Sequence, residues 1–282
     1  LNMHLNSSKW WDFGRKNGGL YVFTPTITKE NDDWYRGTAD AIYQNLDFLK
    51  RCHEPYVIIT SADAVYKLDY NKVLQYHMDK QSDITIVCKK ADASEDLSRF
   101  GTIKMDEDNR IIDFEEKVEE AHSDMISVGI YVIRRRLLID LIEEIAGEGK
   151  HDFVTDILVH NKNHKKMYGY EMDTYWSNIA TVDAYYKTNM DFLKPEVRKY
   201  FWKEYPGIYT KVTVLPPAKY NAGASVKNSL ISSGSIVNGT VDNSVIFKKV
   251  FVGNNCVIKN SIILNDVYVG DNAYIENCIV ES

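Results

Sequence analysis

The sequence predicts two bodies in series: an α/β domain over residues 1–196 and a left-handed parallel β-helix over 218–282, joined by a linker over 197–217. Two observations carry the solenoid. Val226-Lys-Asn-Ser-Leu-Ile231, Val241-Asp-Asn-Ser-Val-Ile246, Ile258-Lys-Asn-Ser-Ile-Ile263 and Ile275-Glu-Asn-Cys-Ile-Val280 are near copies that start 15, 17 and 17 residues apart. Val250-Phe-Val-Gly-Asn-Asn255 is answered by Val267-Tyr-Val-Gly-Asp-Asn272. The third observation carries the α/β domain: apolar runs of strand length alternate with segments of helical period.

Taken in order, the chain opens with Trp10-Trp11 and Gly18-Gly19, then Leu20-Tyr-Val-Phe23, read as a loop and a short strand. Asp40 to Arg51 sets Ile42, Leu46 and Leu49 on one side of a helix. Tyr56–Thr60 is a continuous apolar run, expected as a strand buried on both faces, and it leads into Ser61-Ala62-Asp63. A helix over 70–79 and a buried strand over 84–88 follow, so a mostly parallel sheet is expected. Turn residues at 106–109 make 101–105 and 110–114 a hairpin, and 126–133 is a strong strand. Helices are expected over 136–146 and 153–161, a strand over 166–171, and a helix from Thr181, its N-cap, to Leu193. From Pro195 to Pro217 no period is evident. The aromatic residues there (Tyr200, Phe201, Trp202, Tyr205, Tyr209) are expected to pack at a domain boundary or a subunit interface.

In the repeat, Gly and Asn break β-branched runs every five or six residues, which suits three small faces per coil. An antiparallel sandwich would alternate in polarity without a recurring Asn-Ser step. Asn tolerates left-handed backbone at corners, and stacked Asn side chains can bond from coil to coil. The last coil carries no polar cap, so the repeat is expected to continue past Ser282.

A net charge of −6 with scattered Lys and Arg excludes a basic nucleic-acid surface. No apolar run reaches membrane-spanning length, and Leu1-Asn2-Met3-His4 does not open a signal peptide, so a cytoplasmic protein is expected. Cys52, Cys88, Cys256 and Cys278 show no paired spacing and read as buried free thiols.

Ligands of open α/β sheets sit at the carboxyl ends of strands. Asp63 stands there and could hold Mg²⁺, although from position alone a turn or N-cap role is the stronger reading. Lys117, after Glu116, could meet a phosphate or simply be solvated. Gly37, within Trp34-Tyr-Arg-Gly-Thr-Ala-Asp40, suits close approach of a ligand to the backbone at a helix start.

In sequence order these pieces resemble the glucose-1-phosphate adenylyltransferase (ADP-glucose pyrophosphorylase) family of bacterial glycogen biosynthesis. The resemblance spans the chain: Trp34-Tyr-Arg-Gly-Thr-Ala-Asp-Ala41, Ser61-Ala-Asp63, Tyr66-Lys-Leu-Asp-Tyr70, Phe100-Gly101, Phe114-Glu-Glu-Lys117, Ser127-Val-Gly-Ile-Tyr131, Asp152-Phe153, Tyr175-Trp176, Leu215-Pro-Pro-Ala-Lys219, then the β-helix. It implies a Rossmann-like nucleotidyltransferase domain. There glucose 1-phosphate attacks the α-phosphorus of ATP with Mg²⁺ assistance, giving ADP-glucose and pyrophosphate. By position it implies Tyr35, Gly37, Thr38, Gly101, Glu116, Lys117 and Ser127 as substrate-binding residues, and Asp63 as the catalytic, metal-binding aspartate.

The departures from the family pattern concentrate on the metal. Ser-Gly-Asp-His is Ser61-Ala-Asp-Ala64, Glu-Lys-Pro is Glu116-Lys-Val118, and Asp-Phe-Gly-Lys-Asp is Asp152-Phe-Val-Thr-Asp156. Tyr-Trp-Arg-Asp-Val-Gly is Tyr175-Trp-Ser-Asn-Ile-Ala180, which puts Asn178 at the second metal-ligand position. The family's glycine-rich phosphate loop would lie upstream of Leu1, so the domain is read as N-terminally incomplete. These changes resemble the poorly active companion subunit (the GlgD type) that some bacteria pair with the active one. The implied partners are glucose 1-phosphate, ATP or ADP-glucose, and the catalytic subunit, in a homo- or hetero-tetramer. The alternative is a competent enzyme whose N-terminus lies outside this chain. A third reading, a hexapeptide-repeat acyltransferase, needs a catalytic His near the β-helix, and none follows His164.

Overall fold

The computed structural model describes residues 2–5, 19–25, 34–92 and 95–281. They form two compact units, one of residues 18–62 and 69–173, the other of 1–17, 63–68 and 174–282. The short segment 63–68 therefore belongs with the solenoid-bearing unit, although it follows strand residues of the other unit in sequence.

The α/β part of the chain opens with α1 (Asn2–Leu5), α2 (Thr38–Gln44), α3 (Leu46–Arg51), β1 (Tyr56–Thr60), β2 (Ala64–Tyr66), α4 (Tyr70–Asp79) and β3 (Ile84–Lys90). It continues through β4 (Gly101–Met105), β5 (Ile111–Glu116), β6 (Met125–Arg134), α5 (Arg135–Gly147), a π-helix (Val154–Val159), β7 (Met167–Glu171), β8 (Trp176–Asn178), α6 (Val182–Asp191) and α7 (Pro195–Lys203).

In the unit of residues 18–62 and 69–173, one sheet runs β5-β4-β6-β3-β7, with β1 also paired to β6. β3 and β7 are parallel, whereas β6 is antiparallel to both β1 and β3. Thus β1, β3 and β7 share a direction, as the strand–helix alternation requires, but the sheet is not mostly parallel. The chain enters β6 from the β4–β5 hairpin through a short loop, and parallel neighbours need a long crossover. Ile84, Ile86, Ile103, Phe114, Ile133, Leu138, Ile142 and Ile157 form the core between this sheet and α5. Burial of each such side chain stabilises by about 1.5–3 kcal/mol. Asp69 caps α4 by accepting from the Asn71 N–H, which is why that helix begins where the sequence places it.

Other expectations are corrected. Tyr56–Ile59 is half-buried and Thr60 exposed, because β1 pairs with β6 alone among the described strands. The helix expected over Asp40–Arg51 is interrupted at Asn45, whose side-chain amide donates to the Ala41 carbonyl and competes with the main-chain ladder. Leu20–Phe23 is not a strand; the Tyr21 and Phe23 rings lie against Phe48 instead. Trp10-Trp11 and Gly18 lie outside the described residues. Part of the stretch read as linker is α7, with Pro195 in its first turn. All four thiols are free, but only Cys88 and Cys256 are buried.

The other unit carries the solenoid of twelve short strands. They are β9 (Lys219–Tyr220), β10 (Ser225–Lys227), β11 (Leu230–Ile231), β12 (Ile236–Val237), β13 (Thr240–Asp242), β14 (Val245–Ile246), β15 (Phe251–Val252), β16 (Val257–Lys259), β17 (Ile262–Ile263), β18 (Tyr268–Val269), β19 (Tyr274–Glu276) and β20 (Ile279–Val280). Three parallel sheets result: β10-β13-β16-β19, β11-β14-β17-β20 and β18-β15-β12-β9. Val226, Val241, Ile258 and Ile275 stack in one register, as the repeat predicts.

Their Asn neighbours sit at corners with positive φ: Asn228 at 41°, Asn243 at 47°, Asn260 at 44° and Asn277 at 55°. The Asn228 amide donates to Asn243, and Asn243 to Asn260, each at 2.8 Å. A second ladder runs beside it, in which each Ser hydroxyl accepts the N–H of its counterpart one coil on, from Ser229 through Ser244 and Ser261 to Cys278. The coil spacing of 15 rather than 17 residues has a local cause. Only Asn238 and Gly239 separate β12 from β13, whereas four residues turn the corresponding corner between β15 and β16. A Cβ on Gly239 would lie 2.5 Å from the Cys256 carbonyl oxygen, so the short corner admits only glycine.

Candidate functional site

Several predicted residues meet at the open end of the β4–β5 hairpin. Gly101 pairs with Glu116 across the ladder, and a Cβ on Gly101 would come within 2.6 Å of Glu116 Oε2 and 2.9 Å of the Phe114 ring. The glycine thus makes room for the carboxylate. Lys117 follows in the left-handed region (φ 52°), its N–H donating to the Phe100 carbonyl. Its ammonium stands 3.5 Å from Glu116 Oε1 and is 65% exposed, while Glu116 is 19% exposed. Burial first, and repulsion from Asp152, hold the Glu116 carboxyl above the usual range against the pull of Lys117. The result is a half-buried acid with a solvent-facing cation beside it, a hydrogen-bond acceptor and a positive charge on one edge of the hairpin.

Ser127 is buried on β6, 3.4 Å from the Tyr131 hydroxyl, and Tyr131 packs on Phe153. Gly129 at φ 75° bulges that strand and leaves room for Ser61, whose N–H donates to the Gly129 carbonyl.

Gly37 and Thr38 engage the chain at 151–153. The N–H groups of Ala39 and Asp40 donate to the His151 carbonyl, which a Cβ on Gly37 would strike. The Thr38 hydroxyl accepts the Phe153 N–H at 3.0 Å. Tyr35 lies elsewhere in this unit. Its hydroxyl accepts from Asn45, and it lines a cavity of about 580 Å³ with Tyr43, Lys50 and Glu143. Burial opposes ionisation of Asp40, but hydrogen bonds from Arg36 outweigh it and keep that carboxyl below the usual range. The Arg36–Asp40 pair thus ties the motif to itself.

In the solenoid-bearing unit, β2 and β8 form a two-stranded antiparallel ladder in which Ala64 opposes Asn178. Asp63 is exposed at its end, its carbonyl accepting the Ile179 N–H at 2.8 Å. Asn178 Oδ1 accepts the Ala180 N–H at 3.0 Å, which fixes the amide so that Nδ2 donates to Asp63 Oδ2 at 3.2 Å. An amide hydrogen therefore faces a carboxylate oxygen that a cation would otherwise contact. Among the described residues, no three His, Cys, Asp or Glu side chains are grouped to hold a metal ion. No helix among them is long and apolar enough to cross a membrane.

Residues 4–195 match the family described as Nucleotidyl transferase, and 216–282 match the GlmU-like C-terminal hexapeptide family. The chain belongs to the nucleotidyl transferase family. It is 37% identical over 261 residues to a glucose-1-phosphate adenylyltransferase of Thermosipho africanus, covering 92% of this chain and 63% of that protein. The proteins of that name from Thermotoga maritima (36% over 263 residues, 92% and 62% covered) and Clostridium perfringens (37% over 262 residues, 92% and 67% covered) are similar to it. This nucleotidyl transferase chain thus spans a little under two thirds of the first of these relatives.

The roles of two residues in this nucleotidyl transferase escaped the sequence. Asp152 acts on Glu116 across a long separation in sequence, and nothing local to either residue announces it. Lys67 enters the sequence reading only within Tyr66-Lys-Leu-Asp-Tyr70, with no role given to it, yet it is 5% exposed. The local sign of its burial is its place directly after the apolar pair Val65-Tyr66.

Proposed function

We propose that this chain is a subunit of a glucose-1-phosphate adenylyltransferase that retains a sugar-phosphate pocket and has lost its own metal-assisted chemistry. The relatives' names support the reaction class, ATP plus glucose 1-phosphate to ADP-glucose plus pyrophosphate. Gly101, Glu116 and Lys117 support the pocket: the carboxylate would accept sugar hydroxyls and the ammonium would face the phosphate dianion.

One observation carries the regulatory reading. Mg²⁺ takes oxygen ligands, commonly one or two carboxylates with substrate phosphates, and the Asn178 amide directs an N–H at Asp63 instead. The residues at this strand end do not suit the ion, and no step is assigned to one. Lost stabilisation of about 4 kcal/mol, a unit charge near 4 Å at an effective dielectric of about 20, slows a reaction on the order of a thousandfold. Such a subunit acts through a catalytic partner, in a hetero-tetramer, by biasing it with a coupling of about 1–3 kcal/mol.

Kinetics of the full-length protein, alone and with an active subunit, test this. The expected result is very slow turnover alone and a changed rate, affinity or effector response of the partner. Turnover alone at an ordinary enzyme's rate would instead support the competent enzyme, the reading that the intact Glu116–Lys117 group favours. An unresponsive partner at stoichiometric excess would end the regulatory reading.

A further inference from the structure

Lys67 is buried in the solenoid-bearing unit, and its partners are carbonyl oxygens and an aromatic ring. Its ammonium donates to the Tyr200 carbonyl, to Glu204 at 2.7 Å and to Phe201 at 3.5 Å, and lies 4.5 Å from the Tyr200 ring centroid. The Tyr200 hydroxyl returns a hydrogen bond to the Lys67 carbonyl at 2.6 Å. These carbonyls close α7, where a helix leaves unpaired acceptors and the negative end of its dipole.

Lys67 directly follows β2, whose first residue, Ala64, opposes Asn178. The other strand of that ladder is tied to α6, through Ser177 and Thr188 hydroxyls 2.7 Å apart. In turn α6 rests on the solenoid: Met190 and Tyr186 pack with Leu193, Val245 and Ile262, and the Tyr186 hydroxyl donates to the Asn260 carbonyl at 2.5 Å. Both strands that carry the Asp63–Asn178 pair therefore hang from a helical arm seated on the β-helix.

We propose that Lys67 is a positioning residue, whose caged ammonium locks the Asp63 strand to α7 and so keeps the Asp63–Asn178 pair in register with the solenoid. Calling the pair functional rests on the adenylyltransferase reading; the lock does not. Release of the ammonium frees the pair and leaves the coils folded. Whatever bears on the solenoid face that α6 occupies then reaches the strand end through this arm.

Hydrogen exchange followed by mass spectrometry on the full chain tests it, because exchange reads position and not turnover. Lys67→Met should speed exchange in segments 63–66 and 176–180, including the Ile179 amide bonded to Asp63, by about tenfold or more. Solenoid segments over 240–264 should exchange as in the wild type. Lys67→Arg should restore most of the protection, since a guanidinium can also donate to several carbonyls. Tyr200→Phe removes one hydroxyl and should give the same pattern at about threefold; it decides the matter if Lys67→Met does not fold. Acceleration confined to 199–204, or spread equally through the solenoid, would overturn the proposal.

Discussion

The side-chain amide of Asn178 donates to Asp63 across 3.2 Å, and the Ala180 N–H holds that amide in place from behind. Asn178→Asp would set two carboxylates against each other at that separation, with a repulsion of about 5 kcal/mol at an effective dielectric near 20. The variant is expected to melt at a lower temperature without metal and to gain stability on addition of Mn²⁺ or Mg²⁺. The wild type should respond little. Calorimetric titration and thermal melts of both proteins check this, and equal responses would contradict the hydrogen-bonded arrangement.

Lys117 combines an exposed ammonium with a left-handed backbone. Lys117→Gly keeps that backbone accessible and removes the side chain with its charge, so it separates binding from strain. Affinity for glucose 1-phosphate should fall about tenfold or more, close to 1.4 kcal/mol, by calorimetry. Lys117→Ala should bind equally weakly and be less stable. Undiminished binding by the glycine variant would remove the phosphate role from Lys117.

His77 lies under the sheet on α4, with Nδ1 on the Thr85 hydroxyl, the Tyr56 ring across its face and Nε2 without a partner. Burial, then the nearby Arg134 charge, push its pKa down from 6.5 to about 4. The folded protein thus keeps this imidazole neutral where the unfolded chain would protonate it. Its contribution is complete above about pH 6.5 and is lost as pH falls toward 4, amounting to about 3 kcal/mol over that window. Urea midpoints across this range should fall in the wild type, and less steeply in His77→Gln.

Asn243 gives and receives one ladder hydrogen bond and sits at φ 47°. Asn243→Ala should destabilise by about 2–3 kcal/mol, roughly one for the left-handed backbone and about one for each lost bond. Asn243→Gly should recover the backbone part. Equal loss in both variants, measured by denaturant titration, would show that the corner conformation costs alanine nothing.

How far these features were legible depends on whether their cause is local. The register of Val226, Val241, Ile258 and Ile275 could be read directly, because each coil repeats the same environment and the corner geometry selects Asn. The N-cap Thr181 was legible for the same reason, since a cap acts within three residues. Strand direction was not. The insertion of β6 between same-direction strands depends on a pairing between distant segments that no periodicity encodes. At the candidate site, the asparagine at 178 was visible in sequence, but the orientation of its amide needed the Ala180 N–H. The mutual approach of Gly101 and Glu116 likewise required the hairpin register.

The twin ladders of Asn and Ser make the solenoid indifferent to its own length. Each rung presents to the next coil the same acceptors and donors that it received from the previous one. A tandem copy of residues 241–257 therefore finds its main-chain partners and its Asn and Ser rungs in place on both sides. Such an insertion would lengthen the axis by one strand spacing, about 4.8 Å, and would part Val245 from Ile262 beneath α6 by that one step. The domain would behave as a ruler graduated in coils, on which the separation between a point on the helical arm and the far end can be set by integer steps.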